Sequence, residues 1–232
     1  AEAYSIEELS DEELSSRIRT LILENNLKFN HVITSIPRYL TTVRYVNLPS
    51  TDRLEIENMV KYEAGEMVPY STEELVVDYQ VLSTSDEGYS KVMVIIVHQD
   101  IVMKRLSILK KAGIEPDIID LGSIALFNWF KSIRKDKKSF SVIVNIGRSD
   151  TDIVMIDSGE LVFSRGLNIG LNILFKAIMD KFNIPLEVII RDINQLKFSP
   201  PYERVIEEFI GTWKNKLLEE VNNSLDNYRR ES

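Results

Sequence analysis

Between Ser141 and Gly166 the chain reads SVIVNIGRSDTDIVMIDSGELVFSRG. Three apolar, β-branched stretches are separated only by Gly147-Arg148-Ser149-Asp150 and by Asp157-Ser158-Gly159. A parallel pair needs a crossover of about a dozen residues or more, so connections this short allow only antiparallel neighbours. The run predicts a three-stranded meander over 140–146, 151–157 and 160–165, with a helix over 170–182 covering one face. A glycine turn between two such strands has the outline of a phosphate loop, which works through backbone amides converging on an anion. Of the small residues that such loops favour, only Gly147 is present here. A hairpin that needs glycine at a tight turn accounts for the same pattern without any ligand.

The remaining chain alternates helices and strands. Ser10 and Glu13 have the spacing of a capping box, opening a helix with Leu14, Ile18, Leu21 and Ile22 as its apolar stripe. Strands are predicted over 31–36, closed by Pro37, and over 41–48, where β-branched residues alternate up to Pro49. A helix over 52–66 uses Leu54, Met59, Val60 and Met67, and strands over 75–82 and 91–97 pair as a hairpin. A helix over 101–111 ends at Gly113, 114–121 reads as a strand, and 123–132 reads as an apolar helix. The charged run 134–138 lacks any apolar residue and reads as a connector between two lobes. Beyond the meander, 185–195 is helix-like and Ser199-Pro200-Pro201 reads as a loop. The last helix, over 202–229, carries Val205, Phe209, Trp213, Leu217, Val221 and Leu225 at four-residue spacing, one slowly drifting apolar stripe.

Composition narrows the chemistry. The 232 residues carry 36 acidic and 28 basic side chains, a net charge of −8, which argues against nucleic acid and against an anionic membrane surface. With no cysteine, disulfides, thiolate metal sites and cysteine nucleophiles are excluded. His31 and His98 each border an apolar strand and read as strand-end packing residues rather than metal ligands. The adjacent pairs Glu73-Glu74 and Glu207-Glu208 read as solvated surface. Neither a P-loop, a zincin helix nor a nucleophile elbow is present. Apolar runs such as 92–97 fall short of the roughly 20 residues a membrane span needs. The acidic opening AEAYSIEELSDEELS lacks the basic-then-apolar pattern of a leader, so the expected location is the cytoplasm.

The β-β-β-α run over 140–182 resembles the opening of the second half of an actin-like ATPase domain, where a hairpin reads Asp-apolar-Gly-small-small-small-Thr-Asp. The matching residues are Asn145, Ile146, Gly147, Arg148, Ser149, Asp150, Thr151 and Asp152. The segments IPRYLTTVRYVNLP, IENMVKYEAGEMVPYSTEELVVDYQVL and FSRGLNIGLNIL, in that order, are similar to the PilM family of type IV pilus assembly proteins, relatives of the division protein FtsA. The resemblance covers about 30–229. It implies an α/β (α+β) fold of the actin-like, ribonuclease H-like kind, with two lobes and an inserted small α/β subdomain. The first lobe is expected over 1–133 with the insertion at about 48–97, and the second over 139–232.

Two departures shape the expectation. Nothing before Asn30 resembles the family's first phosphate hairpin, and no glycine-rich adenosine loop follows 219–229, so a truncated version of the fold is expected. The resemblance implies ATP and magnesium as family cofactors, with Asn145, Gly147, Arg148, Ser149, Asp150 and Thr151 around them. Asn145, however, stands where the family has the aspartate that holds magnesium-bound water, and Asp150 brings a carboxylate towards phosphate oxygens. Weak or absent ATP binding and no hydrolysis are therefore expected of this chain.

In function, the resemblance implies a cytoplasmic scaffold of a type IV pilus or related secretion platform, peripheral at the inner membrane. Its partner would be the short N-terminal cytoplasmic peptide of a bitopic inner-membrane protein, docked between the core lobe and the insertion. Arg44, Tyr45, Tyr62 and Val68 are candidates for lining that groove, and each also fits as an ordinary core or surface residue. An active nucleotide-binding ATPase of the same assembly is the alternative. A sugar-kinase-type enzyme is a third reading, for which no catalytic aspartate can be placed. Direct membrane insertion and nucleic-acid binding are not expected, and a homo-oligomer is compatible with the sequence.

Overall fold

The Ser10 hydroxyl accepts from the Glu13 amide at 3.3 Å while the Glu13 carboxylate accepts from the Ser10 amide at 2.8 Å. This reciprocal cap opens α1 (Asp11–Glu24) as its residue spacing requires. The computed structural model describes residues 9–134, 139–195 and 200–231. The chain divides into two compact units, Ala1–Ala125 and Leu126–Ser232. That division falls inside α4 (Gly122–Ile133); residues 135–138 of the charged run lie outside the described residues.

In the first unit, β1 (Ile33–Ile36) and β5 (Ile118–Leu121) pair in parallel, with Ile33 opposite Ile118 and Ile36 opposite Leu121. Between them run β2 (Thr41–Leu48), α2 (Arg53–Met67), β3 (Leu75–Thr84), β4 (Ser90–His98) and α3 (Gln99–Lys111). The antiparallel sheet has the order β2-β4-β3, so the expected β3–β4 hairpin forms. Asp52 caps α2 by accepting from the Leu54 and Glu55 amides at 2.9 and 3.1 Å. Ile56, Val60 and Ala64, four residues apart, bury one face of α2 against Leu48, Val92, Val94 and Ile96. Leu54, expected on that stripe, is 71% exposed instead, because Ile56 holds the inward position of the first turn. On α1, Ile18 and Ile22 pack against Leu109, Ala112 and Ile114.

The strand expected over 114–121 is shorter than its apolar run. Ile114 is drawn into the α1–α3 core, Pro116 has no amide to give a ladder, and pairing begins only at Ile118. The start of β1 moves for a related reason: the Val32 amide donates to the Asp117 carboxylate at 2.7 Å rather than to a neighbouring strand.

In the second unit, β6 (Ser141–Ile146), β7 (Thr151–Asp157) and β8 (Glu160–Leu167) form the antiparallel meander that their short connections demand. Ser158 and Gly159, at φ 53° and 83°, supply the two left-handed positions of a tight hairpin turn. Ile153, Val154 and Met155 of the central strand are all fully buried, so both faces of the meander are covered there. Helices α5 (Leu171–Phe182), α6 (Leu186–Gln195) and α7 (Pro200–Glu231) follow. Trp213, Leu217, Val221 and Leu225 of α7 pack against Ile153, Met155 and Leu167, while Ile206 and Phe209 meet α5 and α6. Pro200 and Pro201, expected in a loop, lie in the first turn of α7, where the missing amides have no intrahelical acceptor to lose. Ser199 lies outside the described residues.

Candidate functional site

The structure brings Asn145, Gly147, Arg148, Ser149, Asp150 and Thr151 together at the β6–β7 turn, beside the start of α5. The Gly147 amide donates to the Asp150 carbonyl at 2.8 Å, closing the turn on itself. The Leu171 amide donates to the Gly147 carbonyl at 3.1 Å and the Asn172 amide to the Arg148 carbonyl at 2.8 Å. These are the first two amides of α5, the groups that a helix start would otherwise offer to an anion. Thr151 is fully buried and its hydroxyl donates to the Ile169 carbonyl at 2.6 Å, while the Trp213 indole donates to the Gly170 carbonyl at 3.1 Å.

Packing here is tight enough to dictate residue types. A Cβ on Gly147 would lie 2.8 Å from the Asp150 carbonyl oxygen, and one on Gly170 would lie 2.3 Å from that of Arg148. Glycine is therefore required at both positions by close backbone approach. Asn145 is exposed and stands opposite the buried Asp152 in the β6–β7 ladder. In this loop the closing Gly147 amide and the Leu171 and Asn172 amides already bond to carbonyls, and Asp150 sets a carboxylate in the turn.

A different arrangement occurs in the first unit. A groove of about 380 Å³ has β3 and β4 on one side and β5 on the other, with Val76, Ile95, Val97, Ile36 and Ile119 among its apolar walls. Among the described residues β3 pairs only with β4, and β5 only with β1, so each is an outer strand of its sheet. Asp78 of β3 and Asp120 of β5 belong to the same lining. A second cavity, of about 390 Å³, lies by α1 and α3; its Asp11 and Lys104 already pair with each other at 3.3 Å.

The four residues expected to line a docking groove are dispersed. Arg44 is exposed opposite Val94, on the α2 face of the sheet, whereas Tyr45 stands opposite Met93 on the other face. Tyr62 is 74% exposed on α2, and Val68 packs against the α2–sheet core and lines a smaller pocket of about 200 Å³. None of the four lines the larger groove. A sequence signal for that groove did exist. Strand β4 is apolar at nearly every position, so both its faces require cover, yet the matching residues of β3 on one face are Val76, Asp78 and Gln80.

His98 acts as the N-cap of α3, its ring Nδ1 accepting from the Asp100 amide at 3.3 Å, and His31 is an exposed residue 3.8 Å from Asp117. Among the described residues, no group of three or more His, Asp or Glu side chains is placed to hold a metal ion. No helix among them is long and apolar enough to cross a membrane.

Comparison with known proteins gives the frame for these features. Over residues 5–232 the chain matches the family described as type IV pilus assembly protein PilM. Among solved structures it superposes on a chain of the PilM-PilN type IV pilus biogenesis complex with a TM-score of 0.81 at 24% identity. That match covers 94% of this chain and 64% of the other, so the chain spans less than two thirds of that relative's length. MreB 5 of Spiroplasma citri bound to AMPPNP matches with a TM-score of 0.48 at 13% identity, over 94% of this chain and 58% of that one. The cytoplasmic domain of EpsL, from the type II secretion system of Vibrio cholerae, matches at 0.46 and 13%, over 71% and 60%. The mixed α/β fold is the one the sequence motifs imply, and the chain belongs to the PilM family of type IV pilus assembly proteins.

Proposed function

We propose that the chain is a scaffold of a type IV pilus assembly platform that holds an extended peptide from an inner-membrane partner. The observation that carries this reading is the groove between β3 and β5, with apolar walls and an outer strand on each side. An extended peptide buries alternate side chains in such a groove and can pair its backbone along an outer strand. On this reading β1 and β5 belong to the core lobe, and the β2-β4-β3 sheet with α2, residues 41–98, is the inserted subdomain, which starts before the expected 48 because β2 belongs to its sheet. The PilM chain of similar fold is found in complex with PilN. A bitopic protein of that kind, with a short cytoplasmic N-terminus, is the source of the peptide.

The chain then works at the cytoplasmic side of the inner membrane through its partner. A net charge of −8 gives its own surface little attraction for anionic lipid. The 147–150 loop serves this scaffold as a structural connector, and nucleotide binding is weak. A fluorescein-labelled peptide from the N-terminus of a PilN-type partner is expected to bind with about micromolar affinity. Val76→Arg should weaken it at least about tenfold, while Tyr62→Ala on the outer side of α2 should leave it unchanged. Loss with Tyr62→Ala and none with Val76→Arg would move the docking surface to α2 and contradict the proposal. Flotation with anionic liposomes should recover the chain only when they display the peptide.

A further inference from the structure

The groove is not uniformly apolar, and its charged groups share one sign. Asp78 is held by a hydrogen bond from the Tyr79 amide to its Oδ1 at 2.8 Å, and Asp120 likewise by the Leu121 amide at 2.8 Å. Each carboxylate is thus fixed by its own strand. Among the described residues neither takes part in an ion pair. Other acids nearby are matched: Asp11 with Lys104 at 3.3 Å in the adjacent cavity, and Glu12 with Lys111 at 2.6 Å. One carboxylate comes from β3 and the other from β5, so both sides of the cleft carry unneutralised negative charge.

Charge of one sign within low-dielectric walls attracts the opposite sign. An occupant that covers two carboxylates with apolar groups alone strips their water and returns nothing. We propose that the peptide held in this groove carries a lysine or arginine beside its apolar anchors, received by Asp78 and Asp120, and that these two residues set the partner's sequence and register. The inference rests on the groove being the docking surface. Apolar contacts supply most of the affinity, and the carboxylates supply discrimination against neutral or acidic peptides at that position.

A positional-scanning set of fluorescein-labelled decapeptides tests this, built on an apolar extended sequence with Lys, Arg, Gln or Glu placed at each position in turn. Binding is measured to the chain, to Asp78→Asn and to Asp120→Asn. Asparagine keeps the shape and the oxygen that accepts the neighbouring amide, and circular dichroism melts confirm folding. At one position the chain should prefer Lys or Arg to Gln by about fivefold and should disfavour Glu. The preference should fall towards unity in either variant, and on raising salt from about 0.05 to about 0.5 M, while binding of the Gln peptide changes little. Peptides that bind, are lost in Val76→Arg and show no basic preference would overturn this inference and leave the docking groove standing. A basic preference retained in both asparagine variants would also overturn it. Binding indifferent to Val76→Arg would overturn the docking reading and the inference with it. Concentration-dependent dimers dissociated by Val76→Arg would assign the groove to a second copy and reject the proposal, as would an Asp78→Asn chain that self-associates with unchanged peptide preference.

Discussion

The 147–150 loop and the β3–β5 groove both set carboxylates beside backbone, but their hydrogen-bonding groups are in different states. In the loop, Gly147, Leu171 and Asn172 amides bond to carbonyls of the same turn, and Trp213 holds the Gly170 carbonyl. In the groove, Asp78 and Asp120 each use one oxygen on a neighbouring amide and are among the residues lining a cavity of about 380 Å³. A glycine turn looks the same in sequence whether its amides are taken or open. Only the partners that folding brings to it decide whether it is a ligand loop or a structural tie.

The largest expected effect comes from forcing the loop open. Gly170→Ala places a Cβ 2.3 Å from the Arg148 carbonyl oxygen and should destabilise the protein by about 3 kcal/mol in urea unfolding. Gly211→Ala is the contrast within the same unit. Nothing lies within 4 Å of its added Cβ inside α7, so a gain of up to about 1 kcal/mol is expected. Equal effects at the two glycines would break the picture of a tightly tied loop. Next, Trp213→Phe removes the donor to the Gly170 carbonyl, and a loss of about 1–2 kcal/mol by the same measurement would sharpen it. At the other end of the scale, Ser10→Ala removes the α1 cap, which is no part of the loop or of the groove lining, at a cost of about 1 kcal/mol. Groove peptides should bind this variant unchanged.

The smallest effect is on pH. The Lys111 hydrogen bond holds Glu12 below the ordinary glutamate value of 4.5, and the Ser10 amide does the same for Glu13. A depressed acid stabilises fully above its unfolded value, and that contribution disappears as pH falls through the folded one. Fraying of α1 should therefore show in circular dichroism only below about pH 4.5, with no change from neutrality down to there.

Much of the fold was legible because local chemistry decided it. Connection length alone made the meander antiparallel, the Ser10–Glu13 spacing produced a real cap, and the stripe on α7 runs inward from Phe209 to Leu225, with Ile206 rather than Val205 buried at its start. The misses have physical causes. Ile114 belongs to a helix–helix core rather than a ladder, Leu54 loses the inward position to Ile56, and the two prolines suit a helix start. The groove was not legible because its walls come from β1, β3, β4 and β5 together with α3 and α4. The parallel β1–β5 pair joins residues 85 apart, which no local period records. Arg44 and Tyr45 were adjacent in sequence, yet strand alternation sends them to opposite faces. The loop was legible in outline, but the bonds from the Gly147, Leu171 and Asn172 amides to the Asp150, Gly147 and Arg148 carbonyls were visible only after folding.

Hydrogen–deuterium exchange on one sample set, with magnesium-ATP in one arm and the N-terminal peptide of a PilN-type partner in the other, tests the central claim. The account predicts that the peptide slows exchange at 76–80 and 118–121 and leaves 146–151 unchanged. Magnesium-ATP should protect no segment until it reaches about 1 mM, the affinity equivalent of about −4 kcal/mol. Protection of 146–151 by micromolar magnesium-ATP, with the β3 and β5 segments untouched by peptide, would contradict it.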